Sequence, residues 1–192
     1  MNSSSSIRAL RRAAEAGAAE AQDKLGLCYA QGEGVPQDYE EAFKWFCLSA
    51  KQGYAWGQYH VGFSYDEGHG VVKHFAKAAE WYRLAADQGN LQAQNDLGMC
   101  YEKGRGVAKQ LGEAVRLYRC AAERGHDGAQ YNLAACYEEG VGVPQDKQAA
   151  RRWLTLAAEQ HCEEAVIALE QLDGRPYKEP FWRRLFRGRQ TP

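Results

Sequence analysis

The sequence predicts an all-α chain of stacked helix–turn–helix repeats, and three observations carry that prediction. A glycine-bearing stretch recurs every 36 residues, as QGEGVPQD at 31–38, EGHGVVKH at 67–74, KGRGVAKQ at 103–110 and EGVGVPQD at 139–146. The same step links Gly17, Gly53, Gly89 and Gly125, with His161 next in the series, and also Tyr29, Tyr65, Tyr101 and Tyr137. Ala42, Ala78, Ala114 and Ala150 keep it, as do Trp45, Trp81 and Trp153, with Leu117 in the third copy. Periods of roughly 20–50 residues mark stacked supersecondary units. Within each period two stretches carry apolar residues at helical spacing.

A capping helix is expected first, within residues 1–17. IRALRRAAEAG at 7–17 aligns with the second helix of a repeat, Ser5 or Ser6 offers an N-cap, and Arg8, Arg11 and Arg12 give a polar outer side. Four repeats follow at 18–53, 54–89, 90–125 and 126–161. In the first, Ala21, Leu25, Cys28 and Tyr29 form the stripe of one helix, which Gly32 stops. Asp38 is a good N-cap for the next, with Glu40 and Glu41 at its positive end, and Ala42, Trp45, Phe46 and Ala50 form the second stripe. First helices are expected near 18–31, 54–67, 90–103 and 126–139, and second helices near 39–52, 75–88, 111–124 and 147–160. His74 and Gln110 are read as weak substitutes for the capping aspartate. EEAVIALEQL, within 162–173, closes the array as a lone first helix, and 174–192 forms a tail outside the repeats.

The glycines of the recurring stretch serve turns. Two glycines one residue apart also occur in phosphate cradles, but such a loop follows a strand and precedes Lys-Ser/Thr, and neither is present. Gly26, Gly62 and Gly98 are different: they fall mid-helix, where glycine costs about 1 kcal/mol against alanine. Acceptance of that penalty at one repeat position implies a close helix crossing, with Ala134 the smallest substitute in the fourth copy.

The pattern A-x-x-x-L-G-x-x-Y, then G-x-G-V, then A-x-x-W-Y/F-x-x-A-A-x-x-G resembles the Sel-1-like repeat, a relative of the tetratricopeptide repeat, over about residues 7–172. Val61 departs from its leucine, Leu117 from its tryptophan and Glu170 from its glycine. The resemblance implies a right-handed α-solenoid acting as a scaffold or adaptor. It also implies that first helices line a concave groove. Projected by that resemblance, the groove residues are Glu20 and Asp23; Trp56, Tyr59, Phe63 and Asp66; Gln92, Asn95, Met99 and Glu102; and Tyr131 and Glu138. Trp56, Tyr59 and Phe63 share one helix face, and clustered aromatics are what binding hot spots use. Neighbouring acids favour a partner with Lys or Arg.

No residue pattern supports catalysis or a cofactor. No Ser, Thr or Cys sits in a nucleophile elbow with a base and an orienting carboxylate. His69 and His74 span a turn without a third metal ligand of clear spacing. The six cysteines include no C-x-x-C, and Cys28, Cys100 and Cys136 share one repeat position, so they read as reduced, small apolar residues. The N-terminus lacks the apolar core of a secretory signal and no apolar run matches a membrane span, so a cytoplasmic location is expected.

Charge divides the chain. Residues 175–192 hold six basic side chains and one acidic, a balance of +5, leaving 18 basic and 24 acidic residues elsewhere, or −6. An acidic body does not suit nucleic acid. In EPFWRRLFRGR, Phe181, Trp182, Leu185 and Phe186 would lie on one side of a helix, with Arg183 and Arg184 among the arginines of the other. The expected function is therefore a non-enzymatic adaptor binding a protein or peptide. The alternatives are a membrane-peripheral scaffold held by the tail and a neutralising, immunity-type partner of a toxin or enzyme.

Overall fold

The computed structural model describes residues 3–174, and among these the chain forms ten α-helices joined by short turns. They are α1 (Ser3–Glu15), α2 (Ala19–Gln31), α3 (Tyr39–Lys51), α4 (Ala55–Glu67), α5 (Phe75–Asp87), α6 (Leu91–Lys103), α7 (Leu111–Ala122), α8 (Asp127–Glu139), α9 (Lys147–Glu159) and α10 (Glu163–Leu172). Each helix packs chiefly on its neighbours in the chain, giving an α-solenoid whose core is a string of clusters rather than one centre.

The mid-helix glycines set the spacing within each unit. A Cβ on Gly26 would lie 2.6 Å from the Phe46 ring, one on Gly62 2.7 Å from Tyr82, and one on Gly98 2.6 Å from Tyr118. Helix propensity is thus given up so that a buried ring of the second helix can press on the backbone of the first. In the fourth unit Leu154 takes the ring's place and Ala134 fits beneath it.

The recurring loop does two jobs with its two glycines. The first, Gly32, Gly68, Gly104 or Gly140, ends the helix in the left-handed region at φ between 69° and 76°. The second permits close approach: a Cβ on Gly70 would fall 2.0 Å from the Tyr39 carbonyl oxygen, and one on Gly106 2.2 Å from that of Phe75. The loops of units 2, 3 and 4 therefore seat on the start of the preceding unit's second helix, at Tyr39, Phe75 and Leu111.

Caps explain the helix starts, with two differences from the sequence expectation. Asp38 accepts from Glu41 N, Asp146 from Gln148 N and Ala149 N, and His74 Nδ1 from Lys77 N. Gln110 makes no side-chain cap, because its longer stem carries the amide past the first-turn N–H groups. α1 begins at Ser3, ahead of Ser5 or Ser6.

Candidate functional site

A ladder of polar side chains joins successive first helices, and it decides which projected groove residues face outward. His60 Nδ1 on α4 sits 2.7 Å from the Asp23 carboxylate of α2. One unit on, the Tyr59 hydroxyl donates to Asp96 Oδ2 at 3.2 Å, and next Asn132 Nδ2 donates to Asn95 Oδ1 at 2.9 Å. Each rung links a residue to one 37 positions away, one repeat plus one. Burial raises the Asp96 carboxyl above its usual range, an effect opposed by hydrogen bonds from Asn95 and Tyr59. Burial, with Asp96 adjacent, also pushes the Tyr59 hydroxyl up, so it stays a neutral donor.

Asp23, Asp66 and Asn95 are consequently buried, and their bonds are made within the chain. Arg105 Nη2 donates to Asp66 Oδ2 at 2.6 Å, and burial raises the Asp66 carboxyl despite that arginine. Glu102 accepts from the Tyr118 hydroxyl at 2.6 Å. The expectation that Asp23, Asp66 and Asn95 meet a partner is corrected in this respect: each is buried and held by the neighbouring repeat, whereas half-buried Glu102 is held by Tyr118 of its own unit. Glu20 is exposed and paired with Lys24, Gln92 is exposed, and Glu138 is half-buried. Met99 and Tyr131 pack against the clusters of units 3 and 4.

The aromatic trio behaves differently. Trp56 is 44% exposed and Phe63 37%, while Tyr59 lies half-buried between them. Trp56 meets Tyr59 edge-on at 5.8 Å, and Tyr59 and Phe63 lie 6.3 Å apart. Phe63 continues the series to His69 at 5.8 Å, and His69 stacks on Tyr39 at 4.5 Å. His60 stacks on Phe46 from below at 4.8 Å. Leu27, Tyr39, Phe46, Tyr59, His60, Phe63 and His69 surround a cleft of about 320 Å³ between the first two units, and Trp56, packed on Tyr59, stands outside its lining. Its wall is mostly apolar and aromatic, with imidazole nitrogens and the Tyr39 hydroxyl as polar points.

Sequence reading reached only one wall of this cleft. Tyr39, Phe46, His60 and His69 were not assigned to it, because they come from a second helix, a core position and a loop of the next unit. One signal was available: Tyr39, Phe75 and Leu111 are apolar or aromatic at the same repeat position. His69 and His74 are engaged separately, one in stacking and one in capping. Among the described residues no group of three or more His, Cys, Asp or Glu is placed to hold a metal ion. All six cysteines are free thiols, and burial pushes Cys100 and Cys136 up to about 11. Phe181, Trp182, Arg183, Arg184, Leu185 and Phe186 lie outside the described residues. No helix among the described residues is long and apolar enough to cross a membrane.

Comparison with known proteins places this geometry. The Sel1 repeat profile matches four times, at residues 19–54, 57–90, 91–126 and 128–162. A protective antigen of uropathogenic Escherichia coli strains with an SLR fold is similar at 39% identity and a TM-score of 0.82, over 86% of this chain and 36% of that one. A Sel1 repeat protein from Oxalobacter formigenes is similar at 36% identity and a TM-score of 0.79, over 90% of this chain and 50% of that one. The chain thus spans half or less of these two proteins. An immunity protein from Pseudomonas aeruginosa shares the fold at 23% identity and a TM-score of 0.60, over 84% of this chain and 60% of that one. No curated protein sequence matches the chain. On four matched repeats and the helix architecture they produce, the chain belongs to the Sel1 repeat family.

Proposed function

We propose that this chain is a non-catalytic adaptor that binds a protein or peptide, and that the aromatic cleft between its first two units is the contact site. Sel1 repeat proteins are generally protein-interaction scaffolds. The observation that carries the specific reading is the exposure of Phe63 at the 320 Å³ cleft, with exposed Trp56 packed beside it on Tyr59 of the cleft wall. Large aromatics held rigidly by their neighbours bind with little loss of side-chain freedom, which is why hot spots favour them. The volume suits one or two bulky apolar side chains of a partner segment. Outside residues 175–192 the chain carries a balance of −6, which favours a partner with Lys or Arg flanking the apolar anchor.

The test replaces Trp56 and Phe63 together with alanine and compares partner capture with wild type. Both side chains are substantially exposed, so the variant should keep its helical circular dichroism and melt close to wild type. Loss of capture in a folded variant supports the cleft; undiminished capture moves the site elsewhere on the solenoid.

A further inference from the structure

One position at the end of each second helix departs from the repeat in unit 3. Gln52, Gln88 and Gln160 each donate through Nε2 to a glutamine 30 positions earlier, Gln22, Gln58 and Gln130, at 2.7, 2.7 and 2.9 Å. Position 124 is Arg, and its guanidinium turns instead to the Gly89 carbonyl, Nη1 donating at 2.8 Å. Gln94 Oε1, the acceptor that a glutamine at 124 would satisfy, is buried and makes no hydrogen bond among the described residues. An unpaired buried acceptor is destabilising, so a cation placed there in spite of it needs a reason.

Gly89 belongs to the wall of a cavity of about 430 Å³ where three successive first helices begin. Trp56 reaches it from the start of α4, Asn90 and Gln92 from that of α6, and His126 from that of α8. The positive ends of three helix dipoles therefore border one space. Two wall residues have a fixed polarity. Asn90 is only 7% exposed, and its Oδ1 accepts from Ala93 N at 2.9 Å. Its Nδ2 makes no hydrogen bond among the described residues and is left as a donor. His126 Nδ1 accepts from Ala129 N at 3.0 Å, which puts the proton of the neutral imidazole on Nε2. Burial lowers that ring's affinity for a second proton, an effect opposed by adjacent Asp127. Ala18 and Tyr54 hold the same position before α2 and α4 and make no side-chain cap. Gln88 commits its amide nitrogen to Gln58 and the Leu84 carbonyl, and so leaves an acceptor.

We propose that this cavity binds a carboxylate-bearing ligand, with Asn90 Nδ2, His126 Nε2 and, at the Gly89 edge, Arg124 as donors to the carboxylate. One fixed cation matches one negative charge, and the guanidinium keeps N–H groups beyond the one on Gly89 for a two-oxygen acceptor. Gln88 Oε1 can accept an N–H beside the acid, as an amino-acid or peptide end supplies. The Trp56 ring, 44% exposed, flanks the apolar part. Asp127 is exposed, and its Oδ1 is turned to Gly128 N. The cavity shares no lining residue with the aromatic cleft, and neither Asn90 nor Arg124 touches that cleft, so either reading can fail without the other.

Nuclear magnetic resonance titration of the full-length chain tests this, with acetyl-glycyl-leucine, its C-terminal amide, acetate and inorganic phosphate as probes. The free dipeptide acid should shift the Asn90 side-chain amide and Trp56 indole resonances, and its amide should bind about tenfold more weakly or less. Asn90→Asp keeps the cap on Ala93 N but turns a donor into a charged acceptor. Arg124→Gln removes the cation and gives Gln94 the partner its counterparts have. Each should weaken binding of the acid by about tenfold or more. Arg124→Gln should melt no lower than wild type, so that its loss of binding is not a loss of fold. Acetate binding as tightly as the dipeptide supports the carboxylate and assigns it to small free acids, whereas preference for the dipeptide supports it and assigns it to chain ends. The proposal is overturned by a wild type that the acid does not shift, by an amide that binds as well as the acid, or by unchanged affinity in either variant. Tighter binding of phosphate than of either acid overturns it too.

Discussion

Units 2 and 3 are built from the same helices in the same register, yet their first helices present different side chains to their surroundings. Where unit 2 carries Trp56 and Phe63, unit 3 carries Gln92 and Met99. Met99 turns into the cluster around Leu133, whereas Phe63 remains 37% exposed at the mouth of a cleft. The ladder changes in step, from a histidine–carboxylate rung at Asp23 and His60 to an amide pair at Asn95 and Asn132. Architecture thus resides in the glycines, alanines and rings that recur, and local chemistry in the positions between them. A solenoid can open a binding cleft at one junction without altering its neighbours, because each repeat contacts only the adjacent ones.

The largest expected effect should be blind to this difference. Gly62→Leu and Gly98→Leu each insert a side chain against a buried tyrosine ring, at predicted Cβ separations of 2.7 and 2.6 Å. Each should destabilise by roughly 1–3 kcal/mol or more, read from chemical denaturation. A melting temperature equal to wild type in either would mean that the crossing is looser than drawn. Next in size are the caps. Asp146→Ala removes the hydrogen bonds to two first-turn N–H groups and should lose about 1 kcal/mol. Gln110→Asp supplies a cap that α7 lacks and should gain several tenths of a kcal/mol, raising the melting temperature.

A pH series sharpens the comparison at the ladder. The folded-state pKa of Asp96 is raised by burial, so its contribution to stability is present below the unfolded value and is lost as pH rises through the folded one. Asp96→Asn removes that dependence. The variant should therefore gain on wild type between about pH 3 and pH 7, the gap widening upward. A gap that narrows over that range would show that the bonds from Tyr59 and Asn95 outweigh burial.

How far the sequence could be read follows the same division. Helix ends were legible because Gly32, Asp38 and their counterparts recur, and periodicity averages out local ambiguity. The tight crossing was legible from Gly26, Gly62 and Gly98, since an unfavourable residue repeated at one position needs a reason. Trp56, Tyr59 and Phe63 were legible as a shared face. The ladder was not, because its rungs connect residues 37 apart, a step that no single helix shows. For that reason Asp23 and Asn95 looked free in sequence and are buried in the fold, and Asp66 did likewise because its partner Arg105 lies 39 positions on. The far wall of the cleft escaped for a related reason: His69 and Tyr39 meet only when the loop of one unit seats on the helix of another.

The most direct measurement compares two equivalent positions, one at the cleft in unit 2 and one in unit 3. A photoreactive amino acid is placed in the full-length chain in place of Phe63 or, separately, of Met99, and illuminated in the native cells. The cleft account predicts a covalent adduct with a second protein from position 63 and none from position 99. Adducts from position 99 alone, or equally from both, would contradict it.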